Sequence, residues 1–279
     1  MQTDYTSQRM INNPSYHNGI IIENEQKGDQ YHRLKVALSK PVGLVVPGQF
    51  AMLSIEGTKD ILLPRPFSIH NFDNEQNASR FDFLIKVVGE GSRLLAQSSV
   101  GSSLRVLAPL GIGFPPPPLG YKVLVVAGGI GIAPLFPLVL ELRRSHIDLH
   151  LFYGAKSQRD LICLHELLQL EGMAISTATE DGTHGEQGLI TKILIDKVPL
   201  REEKMVLYTC GPELMIHAVS DFAAERRITC WASLERRMAC GIGACLGCVV
   251  KTKKGYLCSC MNGPVFNSQD IKWQGDAKS

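Results

Sequence analysis

Neither sign of charge dominates this chain of 279 residues: 29 Lys and Arg stand against 27 Asp and Glu, interspersed, for a net charge of +2. Duplex nucleic-acid binding normally shows as clustered basic residues, so that class is excluded. An apolar h-region is missing from the opening MQTDYTSQRMINNPSYHNG, which does not read as a secretory signal. Membrane-length apolar sequence is missing too. Residues 123–140 carry no charge, but Gly128, Gly129, Gly131, Pro134 and Pro137 interrupt the unbroken helix that a bilayer demands. A buried strand, a turn and a packed helix explain the stretch better, so no membrane association is expected. There are no internal repeats.

What is present falls into blocks. Residues 1–18 are polar and aperiodic and read as a flexible lead-in. Alternation follows: Leu34, Val36 and Leu38, then Phe81, Phe83, Ile85 and Val87, then Leu104 and Val106, punctuated by Pro47-Gly48, Gly89, Gly91 and Gly101. Short strands at this spacing predict an antiparallel β-barrel over residues 19–114. Four prolines, Pro115 to Pro118, can continue neither helix nor central strand and mark a boundary. Beyond them, continuous apolar runs at 123–127, 149–153 and 205–209 read as strands buried on both faces. Helical periodicity at about 133–144, 161–170 and 213–227 alternates with them. That pattern predicts a doubly wound parallel α/β domain over 119–230. Residues 231–279 are rich in Cys and Gly and short of long apolar runs, so they form a small C-terminal domain that needs an internal staple.

Five of the eight cysteines lie between Cys240 and Cys260. Without a secretory signal, such clustering reads as a metal or cluster site in a reducing compartment, hence a cytoplasmic protein. Cys240, Cys245 and Cys248, then Cys260 after eleven intervening residues, have the plant-type ferredoxin spacing for a 2Fe–2S cluster. Gly241, Gly243 and Gly247 allow amide N–H groups to approach the sulfurs. The alternative is a structural zinc site, though zinc ribbons usually pair two short Cys-x-x-Cys knuckles. Cys258 competes with Cys260 for the fourth place.

Two glycine turns follow buried strands. Gly128-Gly129-Ile130-Gly131 opens a helix where backbone amides can meet a pyrophosphate, although Pro134 stands where the third glycine of the dinucleotide fingerprint would be. Thr209-Cys210-Gly211-Pro212 is the second, and the pair could clamp a dinucleotide at one sheet edge. Cys210 is either a nicotinamide contact, and so the candidate catalytic residue, or a small buried apolar side chain. Glu180 and Asp181, after the strand near Ile175, would accept ribose hydroxyls and repel a 2′-phosphate, which favours NAD over NADP unless the turn is merely solvated. In the first domain, Arg65-Pro66-Phe67-Ser68 offers a planar fork and a hydroxyl, and Gly89-Glu90-Gly91-Ser92 a second phosphate-cradling turn.

Taken together, RPFS, GEGS, GGIGIAP and CGP resemble the ferredoxin-reductase superfamily of flavoproteins. The C-terminal SLERRMACGIGACLGCVV and CMNGPVF are similar to the electron-transfer subunits of NAD-linked (class 1B) dihydroorotate dehydrogenases. The resemblance spans about residues 18–270. It implies FAD on the barrel, NAD on the α/β domain and a 2Fe–2S cluster at the C-terminus. Electrons would pass from a separate FMN-containing catalytic subunit through cluster and FAD to NAD+, in pyrimidine (UMP) biosynthesis, within a heterotetramer of two plus two. Carried over by residue, Arg65, Pro66, Phe67, Ser68, Leu84, Ile85 and Lys86 would bind FAD, with Gly91 and Ser92 at its phosphates. Gly128, Gly129, Gly131 and Gly211 would serve NAD, and Cys240, Cys245, Cys248 and Cys260 would hold iron. Cys260 is preferred because the family's last ligand directly precedes a GPVF-type segment. Family members often carry Tyr-Arg where this chain has Ile85-Lys86, and Thr in place of Ser92; lysine keeps the charge and loses the fork. A (β/α)8 barrel needs about 250 residues, so dihydroorotate oxidation falls to a partner. The competing expectations are a subunit of an NADH-dependent ferredoxin:NADP or sulfide oxidoreductase, and a non-enzymatic zinc-stabilised binding protein.

Overall fold

The computed structural model describes residues 14–56, 63–74, 78–198 and 204–273. Its first strands are β1 (Ser15–Gln26), β2 (Tyr31–Leu38), β3 (Phe50–Ile55), β4 (Arg65–Ser68), β5 (Asn71–Asn74) and β6 (Ser79–Lys86). Helix α1 (Glu90–Gln97) and strand β7 (Ser103–Leu110) complete the set. All pair antiparallel in one sheet, ordered β4-β3-β7-β1-β2-β6-β5. The sheet encloses Ile21, Leu34, Val36, Phe81, Phe83 and Ile85, the inward positions of alternating strands.

One boundary differs from the sequence reading. Residues 1–13 of the expected lead-in lie outside the described residues, but 15–18 are already strand, Ser15 pairing with Ala108 and Asn18 with Arg105. The inward residues there are His17 and Gly19. A polar and a side-chain-free residue hide the period of two. Gly19 is required by packing, since a β-carbon on it would sit 2.7 Å from Val36 Cγ1.

The α/β unit contains strands β8 (Lys122–Gly128), β9 (Leu149–Ala155), β10 (Ala174–Thr179), β11 (Glu186–Gln187), β12 (Met205–Cys210) and β13 (Thr229–Ser233). Its helices are α2 (Ile132–Arg144), α3 (Leu164–Leu168), α4 (Ile190–Lys197) and α5 (Glu213–Glu225). The strands run parallel in the order β11-β10-β9-β8-β12-β13. Beyond Lys122, β8 is buried throughout, the mark of a central strand covered on both faces. The helix expected over 161–170 is only the five-residue α3. Cys163 before it holds φ 64°, a left-handed conformation through which a right-handed helix cannot run. At the start of the unit, Tyr208 donates to the Pro115 carbonyl (2.8 Å) and stacks edge-on against Phe114.

The C-terminal elements are β14 (Val249–Thr252), β15 (Gly255–Cys258), α6 (Ser259–Asn262) and β16 (Val265–Asn267). They do not make a separate core. The chain divides into two compact units, with Glu235–Val249 and Cys258–Pro264 belonging to the antiparallel unit and Val250–Leu257 and Val265 onward to the α/β unit. In the latter, β16 pairs antiparallel with β13, and Val250, Phe266, Ile271 and Trp273 pack with Ile216, Ala232 and Leu234. In the former, Cys248 and Cys260 pack with Phe50, Met52, Leu107 and Leu110. A segment with so few apolar residues borrows its burial from larger neighbours. Among the described residues no helix is long and apolar enough to cross a membrane.

Candidate cofactor-binding sites

The cysteine loop is shaped by backbone conformation first. Gly241 and Gly243 take φ +74° and +80°, a region that costs glycine nothing, and Leu246 takes φ 55°. Space demands glycine as well, since a β-carbon on Gly241 would lie 2.7 Å from Met52 Cγ and one on Gly243 the same distance from Met261 Cγ. The loop so folded turns amides onto sulfur. Ile242 and Cys245 N–H groups donate to Cys240 Sγ (3.5 and 3.4 Å), Gly243 N–H to Cys260 Sγ (3.2 Å), and Cys260 N–H to Cys248 Sγ (3.4 Å). All eight cysteines are unbridged.

Electrostatics at the sulfurs follow from this geometry. Desolvation works against the Cys240 thiolate, but the amide hydrogen bonds outweigh it and bring the thiol down to about 7. Burial and the neighbouring Cys248 sulfur push Cys260 up to about 12, against the pull of the Gly243 amide. Thiols that resist ionising together, yet sit on preformed N–H donors, suit a cationic iron centre that takes up their charge. The donor set therefore fits an iron–sulfur cluster. Cys258 stays close enough for burial and the charges of Cys248, Cys245 and Cys240 to raise its thiol. What distinguishes Cys260 is the amide it receives from the loop.

In the same unit, β4 carries the RPFS residues against β3, Arg65 opposite Leu53 and Ser68 opposite Phe50. The Arg65 side chain lies over Gly91, where a β-carbon would come within 2.5 Å of its Nε, and its Nη1 donates to the Leu63 carbonyl (3.1 Å). Two sequence-expected positions change role. The Ser92 hydroxyl accepts from the Val88 and Gly89 amides (2.9 and 3.1 Å) and donates to the Gly89 carbonyl, so it shapes the turn instead of facing a phosphate. Anion-binding capacity passes to the first-turn amides of α1, which have no carbonyl of their own helix to bind. Ile85 is fully buried in the sheet core, which leaves only its backbone to a ligand. Beside it, β5 begins only at Asn71, opposite Asp82, so the β6 edge over Leu84, Ile85 and Lys86 has no strand there among the described residues. Lys86 sits 5.4 Å from the Tyr31 ring centroid.

The two glycine turns of the α/β unit do meet. A β-carbon on Gly131 would strike the Cys210 carbonyl, and one on Gly128 would lie 2.7 Å from both Pro212 Cδ and Met215 Sδ. Gly128 and Gly131 are therefore glycines for turn-on-turn packing. Gly129, at φ +51° with nothing within 4 Å of its would-be β-carbon, is the one facing open space. Gly211, at φ +158°, would meet Met215 Cε at 2.6 Å. Cys210 is 1% exposed, so its thiol is not open to a ligand, and the small buried filler is the alternative its surroundings fit. Sequence reasoning missed Tyr153, a buried β9 residue whose hydroxyl donates to the Gly129 and Ile162 carbonyls (3.2 and 2.9 Å) and pins the turn. No local signal marks that role. Of the two acidic residues expected at the ribose, Asp181 is engaged by the Thr183 hydroxyl and amide (2.6 and 3.0 Å), which hold its carboxyl below the usual range. Glu180 is exposed.

Comparison with known proteins agrees with this layout. The family described as the iron-sulfur cluster binding domain of dihydroorotate dehydrogenase B matches residues 235–272, and the oxidoreductase NAD-binding domain matches 125–221. Those matches set aside the zinc-stabilised binding protein. Among solved structures, that of an NADH-dependent reduced ferredoxin-NADP oxidoreductase superposes with TM-score 0.77 at 23% identity, covering 91% of this chain and 90% of the other. A ferredoxin reductase of carbazole 1,9a-dioxygenase gives 0.67 at 22%, covering 77% and 67%. At such identities these establish a shared fold. The dihydroorotate dehydrogenase B (NAD(+)) electron transfer subunit of Desulforamulus reducens is 38% identical over 83% of this chain and 88% of its own length. That of Clostridium perfringens is 34% identical over 92% and 98%. With its cysteine loop, its glycine turns and its full-length relatives in agreement, the chain belongs to the family of electron transfer subunits of dihydroorotate dehydrogenase B.

Proposed function

We propose that this chain is the electron-transfer half of a dihydroorotate-oxidising enzyme of pyrimidine (UMP) biosynthesis, holding a 2Fe–2S cluster, FAD and NAD and working with a catalytic partner subunit. The observation that carries the reading is the cysteine loop, where backbone amides already point at the sulfurs of Cys240, Cys248 and Cys260. When bound, the cluster supplies one-electron transfer, the flavin a junction between one-electron and hydride chemistry, and the nicotinamide a hydride acceptor.

The residues do the positioning. Cys240, Cys245, Cys248 and Cys260 would hold the irons, and burial of Cys248 and Cys260 against Phe50 and Met52 would keep water from that side. Arg65 over Gly91 and the first-turn amides of α1 would take the flavin's pyrophosphate; Pro66, Phe67 and Ser68 on β4 and the open backbone edge of Leu84–Lys86 would border its ring. Gly129, the helix α2 that follows it and the Gly211 turn would take the nicotinamide nucleotide, and the exposed Glu180 would favour NAD over NADP. The partner would be an FMN protein, in an assembly of two plus two. Unbridged cysteines at a metal site call for a reducing compartment, which the cytoplasm provides.

The test is anaerobic co-expression with a candidate FMN subunit. The isolated chain should contain iron, acid-labile sulfide and FAD and leave dihydroorotate untouched. The complex should reduce NAD+ with dihydroorotate. A colourless chain, or a complex that turns over only with ferredoxin or sulfide, overturns the proposal.

A further inference from the structure

One polar atom beside the cysteine loop is left without a partner among the described residues. Ser259 opens α6 between Cys258 and Cys260 and is fully buried. Its backbone is satisfied on both sides, the N–H donating to the Cys248 carbonyl (2.9 Å) and the carbonyl accepting from the Gly263 N–H (3.0 Å). Its Oγ is buried and has no hydrogen-bond partner among the described residues. A buried hydroxyl left unpaired costs about 1–3 kcal/mol, and the large majority of buried side-chain polar atoms avoid that cost.

The surroundings narrow the choice of acceptor. Cys260, next to Ser259 in the sequence, and Cys248, whose carbonyl takes the Ser259 N–H, pack against Phe50, Met52, Leu107 and Leu110, apolar side chains that offer no acceptor stronger than the Met52 thioether. Cys260 N–H already donates to Cys248 Sγ, so this turn of the chain aims donors at sulfur. An iron–sulfur cluster brings what the hydroxyl lacks: anionic sulfur with several lone pairs, sited at the residues next to it.

We propose that the Ser259 hydroxyl donates a hydrogen bond to sulfur of the bound 2Fe–2S cluster and thereby raises its reduction potential. The proposal rests on the reading of the four cysteines as iron ligands. Reduction adds negative charge to the cluster, so a donor binds the reduced state more strongly than the oxidised one. Removing the donor makes reduction harder, while the four ligands remain.

The experiment compares Ser259→Ala and Ser259→Thr with the parent in the assembled enzyme, by iron and sulfide content and by potentiometric titration followed by electron paramagnetic resonance. Ser259→Ala should keep parental iron and sulfide. Its one-electron reduction constant should fall about tenfold, a midpoint about 59 mV more negative. Ser259→Thr retains a hydroxyl and should keep the parental midpoint. Cluster loss in the Ala variant alone, with Thr parental in iron and midpoint, also supports the bond. Full iron with an unchanged midpoint in Ser259→Ala overturns the hydroxyl's role and leaves the cysteine reading intact. Equal shifts or equal iron loss in both variants assign the effect to packing and overturn it too. A parent without iron sinks the cysteine reading and this proposal with it.

Discussion

Gly129 and Gly131 stand two residues apart in one motif yet answer to different physics. Gly131 has an ordinary helical φ of −60°, and what forbids a side chain is the Cys210 carbonyl. Gly129 has room on every side, and what favours glycine is its φ of +51°. Gly131→Ala should therefore lower stability by about 1–3 kcal/mol through overpacking and weaken NAD binding, with Gly131→Asn no better. Gly129→Ala should cost about 1–2 kcal/mol through backbone strain, and Gly129→Asn should recover part of it. Urea titration of the four variants and NAD titration check the contrast. The neighbouring cysteines separate in the same way. Cys260→Ala should strip iron from the chain, whereas Cys258→Ala, lacking the loop's amide contact, should keep it; colorimetric iron and sulfide assays decide.

At the scale of elements, the β2–β6 pair carries a charge interaction set into the sheet's flank. Arg33 donates to Asp82 Oδ2 through Nη2 (2.6 Å) and Nε (3.0 Å), and Asp82 is only 4% exposed. Burial raises the Asp82 carboxyl above its ordinary 3.8, and Arg33 pulls against that rise. Arg33→Met removes the restraint and leaves a buried carboxylate, which should cost about 3 kcal/mol at pH 7. The pH dependence has a definite sign. Where the folded carboxyl titrates above the unfolded one, the native state binds more protons, so stability falls as pH rises through that window. The deficit of Arg33→Met relative to the parent should shrink as pH drops from 7 toward 4.5. Denaturant titrations at both pH values check it; a deficit that grows in acid contradicts it.

At the scale of the whole chain, its last described stretch, residues 235–273, contributes to both compact units. Residues beyond Leu234 give Val250, Phe266, Ile271 and Trp273 to one core and Cys248 and Cys260 to another. A chain ending at Ser233 should therefore lose cooperative unfolding in both units and bind neither flavin nor nicotinamide nucleotide stably. Near-UV circular dichroism and urea titration test this, and a truncated protein that unfolds cooperatively with FAD bound argues that the segment is a detachable module. The same dependence explains why the expected third domain is divided between its neighbours. Too few apolar residues lie in it to close a core, so each part joins the nearest larger one.

Whatever depends on short-range spacing was legible in the residue order alone: the Cys240–Cys245–Cys248 triplet, the switch from alternating to continuous apolar runs after the prolines, and the glycine turns at the ends of β8 and β12. Period and spacing are local, so they survive in one dimension. Which glycines serve packing, that Ser92 shapes its own turn, that Cys210 is buried and that the Gly243 amide reaches Cys260 emerge in three dimensions alone. Tyr153 and Ser259 belong to that second group. Their parts depend on residues brought together from distant stretches of the chain, where what is satisfied and what is left unpaired is settled by packing and not by sequence order.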